Sequence, residues 1–265
     1  MASASLLISG WLLSADHDWK TLAFLLYCNL SGVFLVYRLN DCVDQNSRLT
    51  FNLKQFFSYP LHRFVVIQFV VIAIPLAILW LNDFRITVLA VSAIVGVLYS
   101  LSFQWGQKQY RIKNIFILKN LLIGAAWGAL VLIGSGHLQS DFVRCLFIFC
   151  TLQVIIGSVI RDVPDVEKDH LNRVKSLPVV IGEKRTLFLM QLLNLFSFLS
   201  LILIDWKPGW LIAFTAVIIW RTINLFQLSA AKGAAQKYWS QTFNLLCCVL
   251  IFFAILILRI YGDLQ

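Results

Sequence analysis

Charge is what this sequence has least of. Only 13% of its 265 residues are Asp, Glu, Lys or Arg, while 60% are hydrophobic and the mean hydropathy is +0.81. Soluble domains carry about a quarter charged residues, and a chain of this make-up could not hide its apolar surface from water, so a soluble globular domain is excluded. Histidine is scarce as well. The four histidines are scattered, with no two at close spacing on one helical face, which argues against a histidine metal centre. The six cysteines, Cys28, Cys42, Cys145, Cys150, Cys247 and Cys248, show no metal-ligand spacing, and most fall inside apolar runs where packing is their expected role. No clear small-residue cleavage site follows the apolar stretch at 2–13, so a removed signal peptide is not expected. That stretch is too brief to span a bilayer fully and reads as a short first helix.

What is present is a series of long apolar windows. Runs of about 20 mostly apolar residues, enough to cross a hydrocarbon core of roughly 30 Å as a helix, occur near 19–39, 62–81, 85–104, 116–134, 142–160, 186–204, 209–228 and 240–261. Alternate loops of these eight spans lie on opposite sides, so the cations test the topology. Arg38, Arg48, Lys54 and Arg63 flank one loop. Lys108, Arg111, Lys113 and Lys119 flank the next, Arg161, Lys168, Arg173, Lys175, Lys184 and Arg185 a third, and Arg221, Lys232 and Lys237 the last. These are 17 of the 22 cations; Lys20, Arg85, Arg144, Lys207 and Arg259 are left for the other face. The positive-inside rule places the rich loops in the cytoplasm. The formal net charge of +9 therefore suits a membrane surface, and a nucleic-acid partner is not expected.

The acidic residues are few, 13 in all, and seven of them gather at two cytoplasmic span ends: Asp41, Asp44, Asp162, Asp165, Glu167, Asp169 and Glu183. Asn40, Asp41 and Asp44 share one face if the first complete span continues as a helix. Asp162, Asp165 and Asp169 stand at i, i+3 and i+7. Pro164 lies between the first two and is expected to end the helix near Asp162 and start a new turn. Like charges this close repel unless a cation sits among them. Hard oxygen ligands in two groups suit Mg2+, which is commonly bound by one or two carboxylates together with substrate phosphates. The bland alternative is a set of solvated loop charges at the membrane edge. Between the two groups lies a basic segment, Gln107 to Asn114, followed by Lys119-Asn120. Beside magnesium-binding candidates it becomes a partner for the remaining charge of a diphosphate, with Tyr99 and Tyr110 as hydroxyl donors.

At these residues the sequence resembles the UbiA superfamily of intramembrane prenyltransferases. Asn40-Asp41-Cys-Val-Asp44 is similar to the family's first Asp-rich motif. Asp162-Val-Pro-Asp165-Val-Glu-Lys-Asp169, trailed by Lys175-Ser-Leu-Pro178-Val-Val-Ile-Gly182, resembles its second. Tyr99-Ser100, Arg111-Ile-Lys113 and Lys119-Asn120 are similar to the family's diphosphate-binding loop. Two positions depart from the pattern: Arg48 stands where a third aspartate is usual, and Gln45 where an arginine is, so metal binding at the first motif would lean on Asp41 and Asp44.

The resemblance covers nearly the whole chain and implies a single all-α integral membrane domain over 1–265, with about nine transmembrane helices, the first one short, around a central cavity. It implies Mg2+-dependent transfer of a prenyl group from an allylic isoprenoid diphosphate to an aromatic or lipid acceptor within the bilayer. In that reading Asn40, Asp41, Asp44, Asp162, Asp165 and Asp169 hold the metal. Asn40, Tyr99, Arg111, Lys113, Lys119 and Lys175 bind substrate, and the site faces the cytoplasm, in the cytoplasmic membrane if the cell is bacterial. Two other readings stand beside it. One is a non-catalytic isoprenoid-binding relative, motivated by Arg48 and Gln45. The other is a transporter, against which speak the apparent lack of charge within the spans and of an inverted repeat of broken segments. The motif of the CDP-alcohol phosphotransferases is absent, and soluble prenyl synthases lack this hydrophobicity.

Overall fold

The computed structural model describes residues 2–15, 17–45, 57–81, 83–100, 102–105, 108–111, 115–171, 174–202 and 208–260. Apolar runs in lipid must satisfy every backbone polar group within themselves, and these do so as helices. Helix α1 (Ala2–Trp11) has 10 residues, about 15 Å of rise, well short of a bilayer core. Helix α2 (Trp19–Gln45) starts at Asp18, whose carboxylate accepts from the backbone N–H of Lys20 (3.1 Å) and of Thr21 (2.9 Å) and from the Thr21 hydroxyl (2.7 Å). Those are donors that a helix start would otherwise leave unmet.

Helix α3 (Pro60–Gln68) opens on a proline and passes through a π-helical turn, Phe69–Ala73, into α4 (Ile74–Trp80). Pro75 supplies the cause: it has no N–H for the carbonyl four residues back, and its ring crowds that carbonyl, so the ladder widens. Helix α5 (Asp83–Ser100) is followed by an antiparallel hairpin of β1 (Ser102–Trp105) and β2 (Lys108–Arg111), with Ser102 opposite Arg111 and Trp105 opposite Lys108. The helix expected to reach residue 104 therefore stops at Ser100. Ser102 and Gln104 alternate with Phe103 and Trp105, a period of two that fits a strand.

Helices α6 (Leu118–Ser135) and α7 (Asp141–Asp162) pack against each other. A Cβ on Gly124 or Gly128 would collide with Thr151 or Ile155 of α7. The two glycines form a G-x-x-x-G stripe that lets the backbones approach in the absence of a hydrophobic driving force in lipid. Helix α6 ends on Gly136, left-handed at φ 76°, whose N–H bonds the Leu132 carbonyl. Beyond α7 the chain tightens into a 3-10 turn at Val163–Asp165, where Pro164 sits. It then runs through the short helices α8 (Val166–Leu171) and α9 (Leu177–Ile181), and the long α10 (Glu183–Ile202), α11 (Pro208–Ala230) and α12 (Ala234–Ile260).

The packing order places α5 on α2 and α6, α7 on α6 and α10, α11 on α10 and α12, and α1 against α2, α6 and α12. The short α1 is thus an interior element, with Leu6 and Leu7 fully buried. One core joins α1, α2, α6, α7, α11 and α12 around Val131, Phe149, Phe214 and Ile251. A second, around Ile156, Ile160, Leu187 and Leu228, closes the end of the bundle where α7 meets α9, α10 and α11. Outward faces such as Leu79, Ile212 and Phe226 are apolar and exposed, as lipid-facing residues must be. Among the described residues seven helices are long and apolar enough to cross a membrane, and two more apolar helices, Ala2–Trp11 and Phe84–Ser100, are shorter.

Candidate active site

The second acidic motif is built as its proline requires. Asp162 is the last residue of α7, Asp165 closes the 3-10 turn, and Asp169 lies in α8. Asp162 points back into the bundle, and its Oδ1 lies 2.7 Å from Lys119 Nζ in the first turn of α6. Both side chains are mostly shielded, at 15% and 17% exposure. The second carboxylate oxygen of Asp162 is buried and has no hydrogen-bond partner among the described residues. A buried acceptor left unmet is costly, so this oxygen is suited to a ligand or metal ion. Beside the pair, the Ser158 hydroxyl donates to Asn120 Oδ1 at 2.7 Å, fixing the start of α6 against α7. Asp169 is half-buried and close enough for its charge to act on Asp162, whereas Asp165 and Lys175 are exposed.

At the first motif α2 continues through Asp44, so the condition for positions 40, 41 and 44 to lie on one helix is met. Asn40 is half-buried; Asp41 is exposed and 3.6 Å from Arg38, which also donates from Nε to His62 Nε2 at 3.0 Å. His62 is buried between Phe34 and Tyr59, a contact with no signature in the sequence. The side chains of Asp44 and Arg111, and residues Arg48 and Lys113, lie outside what is described. Tyr99 sits half-buried in the last turn of α5. Its neighbour Ser100 is buried, and its hydroxyl donates to the carbonyls of Gly96 (2.9 Å) and Val36 (3.4 Å), tying α5 to α2. Among the described residues no group of three or more His, Cys, Asp or Glu side chains forms a metal cage. The donor set is that of an ion held by one or two carboxylates and its substrate's phosphates, the usual manner of Mg2+.

A cavity of about 350 Å³ is lined by Trp127, Gln153, Ser158, Arg161, Arg221 and Gln241 among others. Its wall follows α7 from Arg161, the neighbour of Asp162, down to Gln153, a rise of about 12 Å. There Arg221, 1% exposed, donates from Nε to Gln153 Oε1 (3.1 Å), from Nη2 to the Gln153 carbonyl (3.2 Å) and from Nη1 to Asn224 Oδ1 (3.3 Å). Gln153 Nε2 in turn donates to Asn194 Oδ1 and Ser197 Oγ, both at 2.8 Å. Four helices, α7, α10, α11 and α12, contribute to this polar layer, the last through Cys247, 3.5 Å from Gln153 Oε1. Arg221, expected from the sequence to flank the last cation-rich loop, instead lies inside α11, nine residues before Ala230. The signal was visible as Gln153, Asn194, Arg221 and Asn224 within spans. Assigning each cation to its nearest loop concealed it.

A model of the UbiA prenyltransferase family matches residues 2–247. The chain belongs to the UbiA prenyltransferase family. Solved structures share its fold at low identity. One described as digeranylgeranylglyceryl phosphate synthase aligns with a TM-score of 0.70 at 18% identity over 98% of this chain and 93% of its own. A UbiA homologue from Archaeoglobus fulgidus bound to GPP and Mg2+ aligns at 0.67 and 15% identity, over 96% and 95%. The same homologue bound to DMAPP and Mg2+ aligns at 0.62 and 14%, over 97% and 96%. No curated protein matches the chain significantly. As a UbiA family member the chain is an integral membrane protein whose family transfers prenyl groups.

Proposed function

We propose that this protein transfers a prenyl group from an allylic isoprenoid diphosphate to an aromatic or lipid acceptor, with Mg2+ as cofactor, at a site on the cytoplasmic side of the membrane. The observation that carries the proposal is the shielded Lys119–Asp162 pair, with Asp162 next in sequence to the cavity-lining Arg161 and one Asp162 oxygen buried and without a hydrogen-bond partner among the described residues. The Archaeoglobus fulgidus homologue's complexes with GPP or DMAPP and Mg2+ supply the ligand class. The charge asymmetry of the loops supplies the orientation.

In this reading Asp162, with Asp165, Asp169, Asp41, Asp44 and Asn40 as further candidates, would hold Mg2+, which when bound screens the charge of the diphosphate. Lys119 contributes fixed positive charge where negative charge grows as the allylic C–O bond breaks and the diphosphate leaves with the electron pair. Arg111, Lys113, Lys175 and Tyr99 are candidates for the rest of the diphosphate. The bundle's apolar walls keep water from the allylic cation. The acceptor's carbon or oxygen then forms the new bond and gives up a proton. Arg221 removes one of the two sequence arguments against a transporter; family membership and the shielded cation–carboxylate pair favour transfer.

The test is binding of labelled geranylgeranyl diphosphate to the purified protein in detergent, followed by release of diphosphate when acceptors are added. Capture that needs Mg2+ and weakens in Lys119→Ala and Asp162→Ala supports the reading. Binding indifferent to Mg2+ and to both substitutions would count against it.

A further inference from the structure

Arg38 stands one turn before Asp41 on α2, and its guanidinium is shared between two helices. Nε donates to His62 Nε2 of α3 at 3.0 Å, while Nη1 lies 3.6 Å from Asp41 Oδ2. The first contact is a hydrogen bond; the second is an ion pair too long to be one. Arginine only donates, so His62 Nε2 is the acceptor and the ring proton sits on Nδ1. His62 has little freedom to follow a movement of Arg38. It is 1% exposed, and its backbone N–H bonds the Tyr59 carbonyl at 3.1 Å. Its ring lies 4.9 Å from that of Tyr59 and 6.0 Å from that of Phe34, which is one turn before Arg38 on the same face of α2.

An arginine and an aspartate three residues apart on a helix are neighbours able to pair, and a guanidinium grips a carboxylate best through two parallel bonds. His62 occupies Nε, and with it one edge of that fork, and draws the guanidinium toward α3. Asp41 is left beside a positive charge that makes no hydrogen bond to it. A carboxylate clamped by arginine would be a poor ligand for a metal ion, which would have to displace the guanidinium first. The first motif has no spare carboxylate: Arg48 stands where a third aspartate is usual, so a closed Arg38–Asp41 pair would take one of its two aspartates.

We infer that His62 is a positioning residue for the first acidic motif: by holding Arg38 through Nε it keeps the guanidinium from closing on Asp41, so that this carboxylate stays open to a divalent cation. This rests on the Mg2+-dependent prenyl-transfer reading and adds to it a residue on α3 that lies outside both acidic motifs.

The experiment uses the full chain in detergent and labelled geranylgeranyl diphosphate, and reads the Mg2+ concentration that gives half-maximal capture. His62→Phe keeps a ring between Phe34 and Tyr59 but removes the acceptor, and should raise the Mg2+ requirement by about threefold or more, the scale of a half-exposed ion pair. His62→Gln, whose amide oxygen takes the place of Nε2, should keep the wild-type requirement. His62→Phe/Arg38→Gln should return to it, because the arginine that closes the pair is gone; a merely structural role for His62 predicts a double variant no better than the single one. A second readout needs no metal: the effects of Arg38→Gln and Asp41→Asn on the thermal midpoint should be near-additive in the wild-type background and coupled in the His62→Phe background. If His62→Phe does not fold, Arg38→Lys decides, since its flexible ammonium is free to reach Asp41 with His62 in place and should raise the Mg2+ requirement likewise. An unchanged requirement in folded His62→Phe or in Arg38→Lys, a raised one that persists in the double variant, or equal coupling in the two backgrounds overturns the inference and leaves prenyl transfer standing. Wild-type capture that is indifferent to Mg2+ overturns both.

Discussion

Lys119 Nζ and Asp162 Oδ1 lie 2.7 Å apart across the α6–α7 interface, bringing together residues 43 apart in sequence from the basic segment and the second acidic motif. Each sits at the end of its helix nearest the polar loops, and both are mostly shielded. Removing one partner leaves the other as a shielded, uncompensated charge. Lys119→Met should therefore destabilise the protein by about 3 kcal/mol, read as a lower thermal midpoint in detergent. The double variant Lys119→Met/Asp162→Asn should regain part of that stability while remaining inactive. Equal stability of the single and double variants would show that the pair carries little coupling.

The α6–α7 contact is set by backbone proximity at Gly124 and Gly128, where a Cβ has no room beside Thr151. Gly128→Ala should cost about 1–3 kcal/mol through overpacking, measured by thermal unfolding. Gly182, with nothing among the described residues within 4 Å of a Cβ, serves as the comparison for crowding: Gly182→Ala tests backbone conformation, because its φ is 86°.

Asp18 caps α2 outside the membrane-spanning segment. The Thr21 hydroxyl, then the backbone N–H groups of Thr21 and Lys20, hold its carboxyl below the usual carboxylate range. A depressed folded value means stabilisation that is present above the ordinary carboxylate pKa and is lost as pH falls through the folded one. Asp18→Asn should flatten the acid limb of stability against pH measured from neutrality downward; an unchanged limb would remove Asp18 from that linkage.

Much of the architecture was legible because lipid imposes one rule on every span: apolar side chains outside, and backbone bonds closed within the helix. The break at Pro164 followed from the missing proline N–H, and α2 runs past the apolar window at 19–39 through Asp44, a continuation that the sequence left as a condition. The hairpin after Ser100 was harder to see, since Phe103 and Trp105 are as apolar as the span before them and hydropathy windows do not register a period of two. The Gln153–Arg221 layer was hidden for a different reason. Its polar groups satisfy one another across four helices, and a single sequence does not show which span faces which. At the candidate site the chemical types were readable, but the partner chosen by Asp162 was a matter of packing.

Orientation can be tested independently of chemistry. In intact cells, Lys168→Cys and Lys237→Cys should resist a membrane-impermeant maleimide, and Lys20→Cys should react, if the cation-rich loops face the cytoplasm. The opposite labelling pattern would place the Lys119–Asp162 pair on the outer side.

The central claim is tested most directly by single-turnover transfer of a labelled geranylgeranyl group in detergent, comparing wild type with Asp162→Ala at saturating Mg2+ and again with excess chelator. The expected result is prenylated acceptor and free diphosphate from the wild type with metal only, and a loss of two orders of magnitude or more in the variant, roughly what removal of one transition-state charge contact costs. Equal product from wild type and variant, or product that persists in chelator, would contradict it.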